Sequence, residues 1–226
     1  MRRIAGVVWR PRSTMAAVVA APTFLTAWTV VLLLWLIPAA WLLSTDVGRQ
    51  GLVDERVRLA EASGAPIDDP QYAVLQASPP WIVYFATGGR LLMAPPVTAM
   101  VALMLVGLAR LDGHAMGLGA GMAITVHASA VLALQQLVAI PLQYLRESIT
   151  SPTNLAALAP MVEDGSAAAR VLGAVDVFGI WWIWLLALGL SAVASRPALH
   201  YVWRLLAVYV GAAVLMAAML AVAGGS

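Results

Sequence analysis

From Phe24 to Leu43 the chain runs for twenty residues without a single charge. A helix of that length rises ~30 Å, which matches the hydrocarbon core of a bilayer. Four further apolar runs follow, at 81–109, 118–144, 171–194 and 201–222. Backbone groups inside hydrocarbon must be bonded within the protein, so only helices or closed barrels cross it. These runs are apolar almost throughout and do not alternate, so they read as helices. Composition agrees: 11% of residues are charged, where soluble domains carry about 25%. The predicted fold is all-α, a polytopic helical membrane bundle with five transmembrane helices, forming a single membrane domain over 1–226.

The segments between the runs are predicted to be structured. Residues 1–22 carry Arg2, Arg3, Arg10 and Arg12 around Trp9. No small-x-small cleavage site follows Pro22, so a retained cytoplasmic interfacial segment is expected, with Trp9 at the headgroups and the Arg residues near anionic lipid. Pro38 is expected to kink the first span. Residues 45–80 read as an outer helical hairpin. Its first helix covers Leu52 to Ala62, with Asp54 and Arg58 four apart, and its second starts at Asp68-Asp69-Pro70 and reaches about Gln76. Asp54, Glu55, Asp68 and Asp69 read as helix-start and solvated residues, not catalytic ones. Gly88-Gly89-Arg90 and Pro95-Pro96 predict a long, bent or broken second span. Residues 146–170 read as an outer structured loop. Ser151-Pro152-Thr153-Asn154 can start a short helix to Leu158, capped by Ser151 or Thr153, with Leu155 and Leu158 turned inward and Glu163 and Asp164 facing water.

The arginines set an expected orientation. With the N-terminus inside, the inner segments hold Arg2, Arg3, Arg10, Arg12, Arg110, Arg196 and Arg204. The outer segments hold Arg49, Arg56, Arg58, Arg146 and Arg170. The excess lies inside, and four of its members flank the first span. The N-terminus is therefore expected in the cytoplasm and the C-terminus outside, as in a multi-pass protein of a bacterial inner membrane.

Two ionisable residues fall within apolar runs, Arg90 and Asp176. A lone charge in the membrane costs ~2.5–3.5 kcal/mol on insertion scales, so pairing is expected. Both descend from the outer side, which makes Arg90 the expected partner of Asp176, with Arg146 next. The third span carries a polar stripe, Thr125, Ser129, Gln136 and Gln143, within ~40° of one direction on a helix. His127 and Gln135 project elsewhere. The stripe should face protein or a wet cavity. His114, His127 and His200 are scattered. There is no His-Glu-x-x-His, nucleophile elbow or Walker loop, no clear inverted repeat, and no cysteine. No catalytic residue, cofactor or metal is expected. The Trp181-Trp182-x-Trp184 group reads as packing.

The stretch YLRESITSPTNLAALAP, followed by VLGAVDVFGIWWIWLLALGL, resembles the bacterial branch of the Yip domain (Ypt-interacting-protein) family. VVWRPRSTMAAVVAAPTF and ERVRLAEASGAPI resemble it too. The most specific parts are the outer-loop residues Glu147, Ser151, Pro152, Thr153 and Asn154, and the Asp176-x-Phe178-x-x-Trp181 pattern. The resemblance implies a five-span bundle with a cytoplasmic N-terminus. Eukaryotic relatives bind small Rab-type GTPases and act in vesicle trafficking and membrane shaping; their long cytosolic N-terminal region has no counterpart in this sequence, so a GTPase partner is not expected. Some bacterial relatives accompany ABC-type exporters. The expected function is therefore a non-catalytic integral membrane protein that organises or assembles other membrane components, including service as an exporter accessory. The alternative is a small permease or channel using Arg90, Asp176 and the third-span stripe. Expected partners are the lipid bilayer and another membrane protein. A homo-oligomer is compatible with the sequence, and nucleic acid is not expected.

Overall fold

The computed structural model describes residues 2–62, 64–77, 81–158, 161, 172–173 and 175–224. It is all-α, with no strand among the described residues. Two short helices open the chain, α1 (Arg2–Trp9) and α2 (Pro11–Ala20). Pro11 starts α2 at a position where its missing N–H costs no helix bond. Then come α3 (Leu25–Ser44), α4 (Asp46–Ala62), α5 (Asp69–Gln76) and α6 (Trp81–Leu111). They are followed by α7 (Leu118–Ala128), α8 (Ala130–Leu145), α9 (Leu155–Leu158), α10 (Val177–Ala194) and α11 (Ala198–Gly224). Four segments are long and apolar enough to cross a membrane: α3, residues 87–111 of α6, α7 with α8, and α10.

Several boundaries differ from the sequence expectation for identifiable reasons. α4 begins at Asp46, six residues before Leu52, because the Thr45 hydroxyl accepts from Gly48 N at 3.2 Å and caps it there. A side chain at Gly48 would collide with the Leu42 carbonyl oxygen, 2.1 Å from its first carbon, so this tight α3–α4 turn requires glycine. α5 starts on a capping box between Asp68 and Gln71. Gln50 of α4 reaches the Tyr72 hydroxyl of α5 at 3.0 Å. α6 is continuous through Pro95 and Pro96, where the sequence suggests a bend or break. The third span divides instead, at Ser129. There the Ser129 hydroxyl donates back to Thr125 O at 2.9 Å, competing with the helical ladder.

The core lies where α2, α6, α7, α8, α10 and the start of α11 meet. Met15, Leu105, Ile124, Val131, Leu185, Leu186, Leu190 and Tyr201 are buried there. Small residues let the helices close up. A side chain at Gly121 would meet Ala102 O on α6 at 2.8 Å, and one at Gly189 would meet Ile124 Cγ2 at 2.4 Å. α10 runs antiparallel to α7 and α8, as three successive contacts show. Its N-cap Asp176 lies near Gln135, Trp182 donates to Ser129 Oγ at 3.2 Å, and Gly189 sits on Ile124. Residues on the outside of α3 and α6, such as Leu33, Leu34, Leu92 and Met100, are exposed and apolar, as contact with lipid requires.

Candidate functional site

The most connected polar cluster surrounds Asp176. α10 starts at Val177, so Asp176 is its N-cap, and Phe178 N donates to Asp176 Oδ1 at 2.8 Å. The other carboxylate oxygen, Oδ2, accepts from Ser151 Oγ at 2.9 Å and from Thr153 Oγ1 at 2.6 Å. Gln135 Nε2 donates in turn to Thr153 Oγ1 at 3.1 Å. Two backbone bonds flank these contacts: Leu155 N to Val175 O at 2.9 Å, and Val177 N to Thr153 O at 3.2 Å. The loop from α8 is thus stitched to the head of α10 through side chains and main chain together.

The loop turns at Glu147, an exposed residue in the left-handed region with φ of 50°. Gln143 Nε2 then holds the Ile149 and Thr150 carbonyls at 2.8 and 3.3 Å. Ser148 and Thr150 bond to each other. Ile149 packs on Gly51 of α4, where a side chain would meet it at 2.5 Å. Pro152 and Thr153 are buried. Gln135 lies ten residues before the end of α8, so its bond to Thr153 puts that hydroxyl ~15 Å down the helix. The loop therefore folds back into the bundle and does not lie across its end. The cap of α9 comes from Asn154, whose Oδ1 accepts from Ala157 N at 2.7 Å, and not from Ser151 or Thr153, whose hydroxyls are committed to Asp176. Leu155 is half-buried. The side chain of Leu158, together with Glu163, Asp164 and Arg170, lies outside the described residues.

The expected pair of Arg90 with Asp176 does not form, nor does the alternative with Arg146. Four ion pairs occur among the described residues, and neither arginine belongs to one. Both are exposed, Arg90 on α6 and Arg146 at the C-terminal end of α8. The apolar residues ahead of Asp176 suggested a carboxylate one turn or more inside a helix. Because Asp176 caps the helix, hydroxyls and an amide satisfy it and it needs no cation. The polar stripe divides as well. Ser129 meets Trp182, and Gln143 holds the loop, while Gln136 is half-buried and does not join the cluster. Gln135, which a straight helix would aim elsewhere, is the residue that reaches Thr153 and joins the Asp176 cluster. The break at Ser129 makes projection along one continuous helix unreliable there.

A second cluster closes the opposite end of the bundle. Asp112, with a side chain 6% exposed, accepts from the Tyr201 hydroxyl at 2.7 Å and from Arg204 Nη1 at 2.9 Å. His200 Nε2 is 3.6 Å from the same carboxylate. The Tyr201 hydrogen bond, with help from the Arg204 bond and charge and against the opposing effect of burial, holds the Asp112 carboxyl below its ordinary range. Asp112 thereby ties the turn after α6 to the start of α11. No local pattern signals this, because the partners stand about ninety residues away and Asp112 looks like a lone acid.

Comparison with protein-family models, with curated proteins and with solved structures finds no match to this chain. Among the described residues, no group of three or more histidine, aspartate or glutamate side chains could hold a metal ion.

Proposed function

We propose that this chain is a five-span, non-catalytic inner-membrane protein of the Yip type that organises or assembles other membrane components, including service as an accessory to an ABC-type exporter. α11 is the fifth crossing, the N-terminus faces the cytoplasm and the C-terminus lies outside. One observation carries the reading. The polar side chains gathered around Asp176 are spent on each other, and the layer beyond them is filled by Ile124, Val131, Leu185, Leu186 and Leu190, all buried. A polar network fully used in this way rigidifies a fold. It supports an architecture built to hold surfaces in place more than one built to pass a solute. α4 and α5, rich in exposed polar groups, are then the natural docking surface for a membrane protein partner.

The depth of the Asp176 cluster is what favours the permease reading, since midplane polar sites serve transport. Two experiments separate them. Crosslinking and affinity purification from native membranes should recover a specific membrane protein, and the crosslinks should vanish when exposed α4 residues such as Arg56 and Arg58 are replaced. Purified chain in proteoliposomes should leave flux of ions and small polar solutes at the level of empty vesicles. Flux that disappears with Asp176→Ala would replace the scaffold reading with the permease.

A further inference from the structure

At the start of α3 the structure holds a charged cavity that the reading above does not use. Its volume is about 520 Å³, and it is lined by Arg2, Arg3, Phe24, Leu25, Thr26 and His127 among others, with no acidic residue. Three features of different origin converge on it. First, Arg3 Nη1 is fixed on Ala21 O at 2.8 Å, which holds its guanidinium over the α2–α3 turn with other donors to spare, and Arg2 beside it is exposed. Second, α3 has no side-chain cap at Phe24, so the leading N–H groups of a twenty-residue helix open on the cavity. Third, His127 is only 3% exposed, and its ring bonds to Ala123 O through Nδ1 at 2.8 Å. A carbonyl can only accept, so a proton sits on Nδ1, and with the ring neutral Nε2 is an acceptor.

We propose that this cavity binds the headgroup of an anionic phospholipid that carries a hydroxyl beside its phosphate, as phosphatidylglycerol does. Arg2, Arg3 and the α3 amides take the phosphate through charge-assisted bonds. His127 Nε2 accepts the headgroup hydroxyl. The lipid origin follows from position. α3 rises ~30 Å from Leu25 to Ser44, enough to cross a hydrocarbon core, and the cavity opens at its N-terminal end. Leu25, 68% exposed at the mouth, gives an acyl chain an apolar wall. A free phosphate uses the same donors but neither the wall nor the histidine acceptor. This inference holds whatever partner the protein organises.

The test uses the full chain in a neutral detergent, titrated with short-chain phosphatidylglycerol, phosphatidylserine, phosphatidylcholine and inorganic phosphate, with binding followed by native mass spectrometry. Phosphatidylglycerol should bind best, phosphatidylserine more weakly, and phosphatidylcholine and phosphate at least about tenfold more weakly, the first because it lacks the hydroxyl and its choline repels the arginines, the second because it lacks both the wall and the histidine contact. Arg2→Gln, an exposed change with no internal bond to lose, should weaken phosphatidylglycerol by about the same factor. His127→Phe should erase the preference over phosphatidylserine. The double change Arg10→Gln/Arg12→Gln removes two charges from outside this cavity and should leave binding unaltered. Equal binding of phosphate and phosphatidylglycerol overturns the lipid assignment. Equal losses in Arg2→Gln and in Arg10→Gln/Arg12→Gln would mean diffuse attraction and no site.

Discussion

Replacing Asp176 tests whether the inward loop is held by one carboxylate. Asp176→Ala removes the α10 cap, worth ~1 kcal/mol. It also removes an acceptor from Ser151 and Thr153, and hydrogen bonds to a charged group contribute ~1.5 kcal/mol each. The sum is ~4 kcal/mol, with ~1.5 kcal/mol of it at Thr153, which is 9% exposed and has little access to solvent. Asp176→Asn keeps the shape, the cap and one hydroxyl bond, so its cost should stay near ~1.5 kcal/mol. Unfolding in mixed micelles, followed by the fluorescence of the nine tryptophans, gives both values. Hydrogen exchange over residues 149–155 locates the change, and Asp176→Ala should release protection there before it does in α10. A cost below about 1 kcal/mol for Asp176→Ala would show that the backbone bonds alone hold the loop.

Because Asp176 and Arg90 do not touch, Asp176→Asn combined with Arg90→Gln should cost the sum of the single changes within ~0.5 kcal/mol, and a larger coupling in the same assay would restore the pair. Gly189→Ala forces a carbon onto Ile124 and should cost ~1–3 kcal/mol, partly rescued by Ile124→Ala, whereas Gly107→Ala, with open space around it, should be neutral or stabilising by up to ~1 kcal/mol. Asp112 has a depressed carboxyl pKa, so its stabilisation is complete above the ordinary value of 3.8 and fades only as pH falls through the lower folded value. The melting difference between wild type and Asp112→Asn should therefore be flat from neutral pH to about pH 5 and shrink only in stronger acid; a difference that already closes near pH 6 would refute this reading of Asp112. Single cysteines at Ser13 and Ser226 report topology in a chain with none of its own: in sealed right-side-out cells the Ser226 position should label at once, and labelling only after permeabilisation would contradict the proposed orientation.

The all-helical character and the membrane-length helices were legible because uncharged length is a property of the sequence alone. Helix ends were legible where a side chain caps its own neighbours, as at Asp68 with Gln71. Asp176 was misplaced because apolar residues precede it on both readings. Only the bond from Phe178 N shows that the helix begins after it, and residue type does not separate an N-cap from an intramembrane carboxylate. Gln135 was missed for a geometric reason, since the projection assumed an unbroken helix through Ser129. The Asp112 cluster and the α3 cavity join segments far apart in the chain, and no local pattern records such meetings. The polar signature at Ser151 and Thr153 was visible, but its descent along α8 was not.

The unequal lengths of the apolar helices bear on the surrounding lipid. α10 has 18 residues, α3 has 20, and the apolar part of α6 has 25, or ~27, ~30 and ~37 Å along their axes. A bilayer of uniform hydrophobic thickness cannot match all three at once. Lipids beside α6 must stretch or α6 must tilt, while those beside α3 stay relaxed, at a cost of fractions of a kcal/mol per ångström. The exposed faces of both helices, Leu91 and Met100 on one and Leu33 and Ile37 on the other, are where that mismatch is felt. With α6 upright the chain carries a thickness gradient around its own circumference, and in a membrane of mixed composition longer-chain lipids fit its α6 flank best.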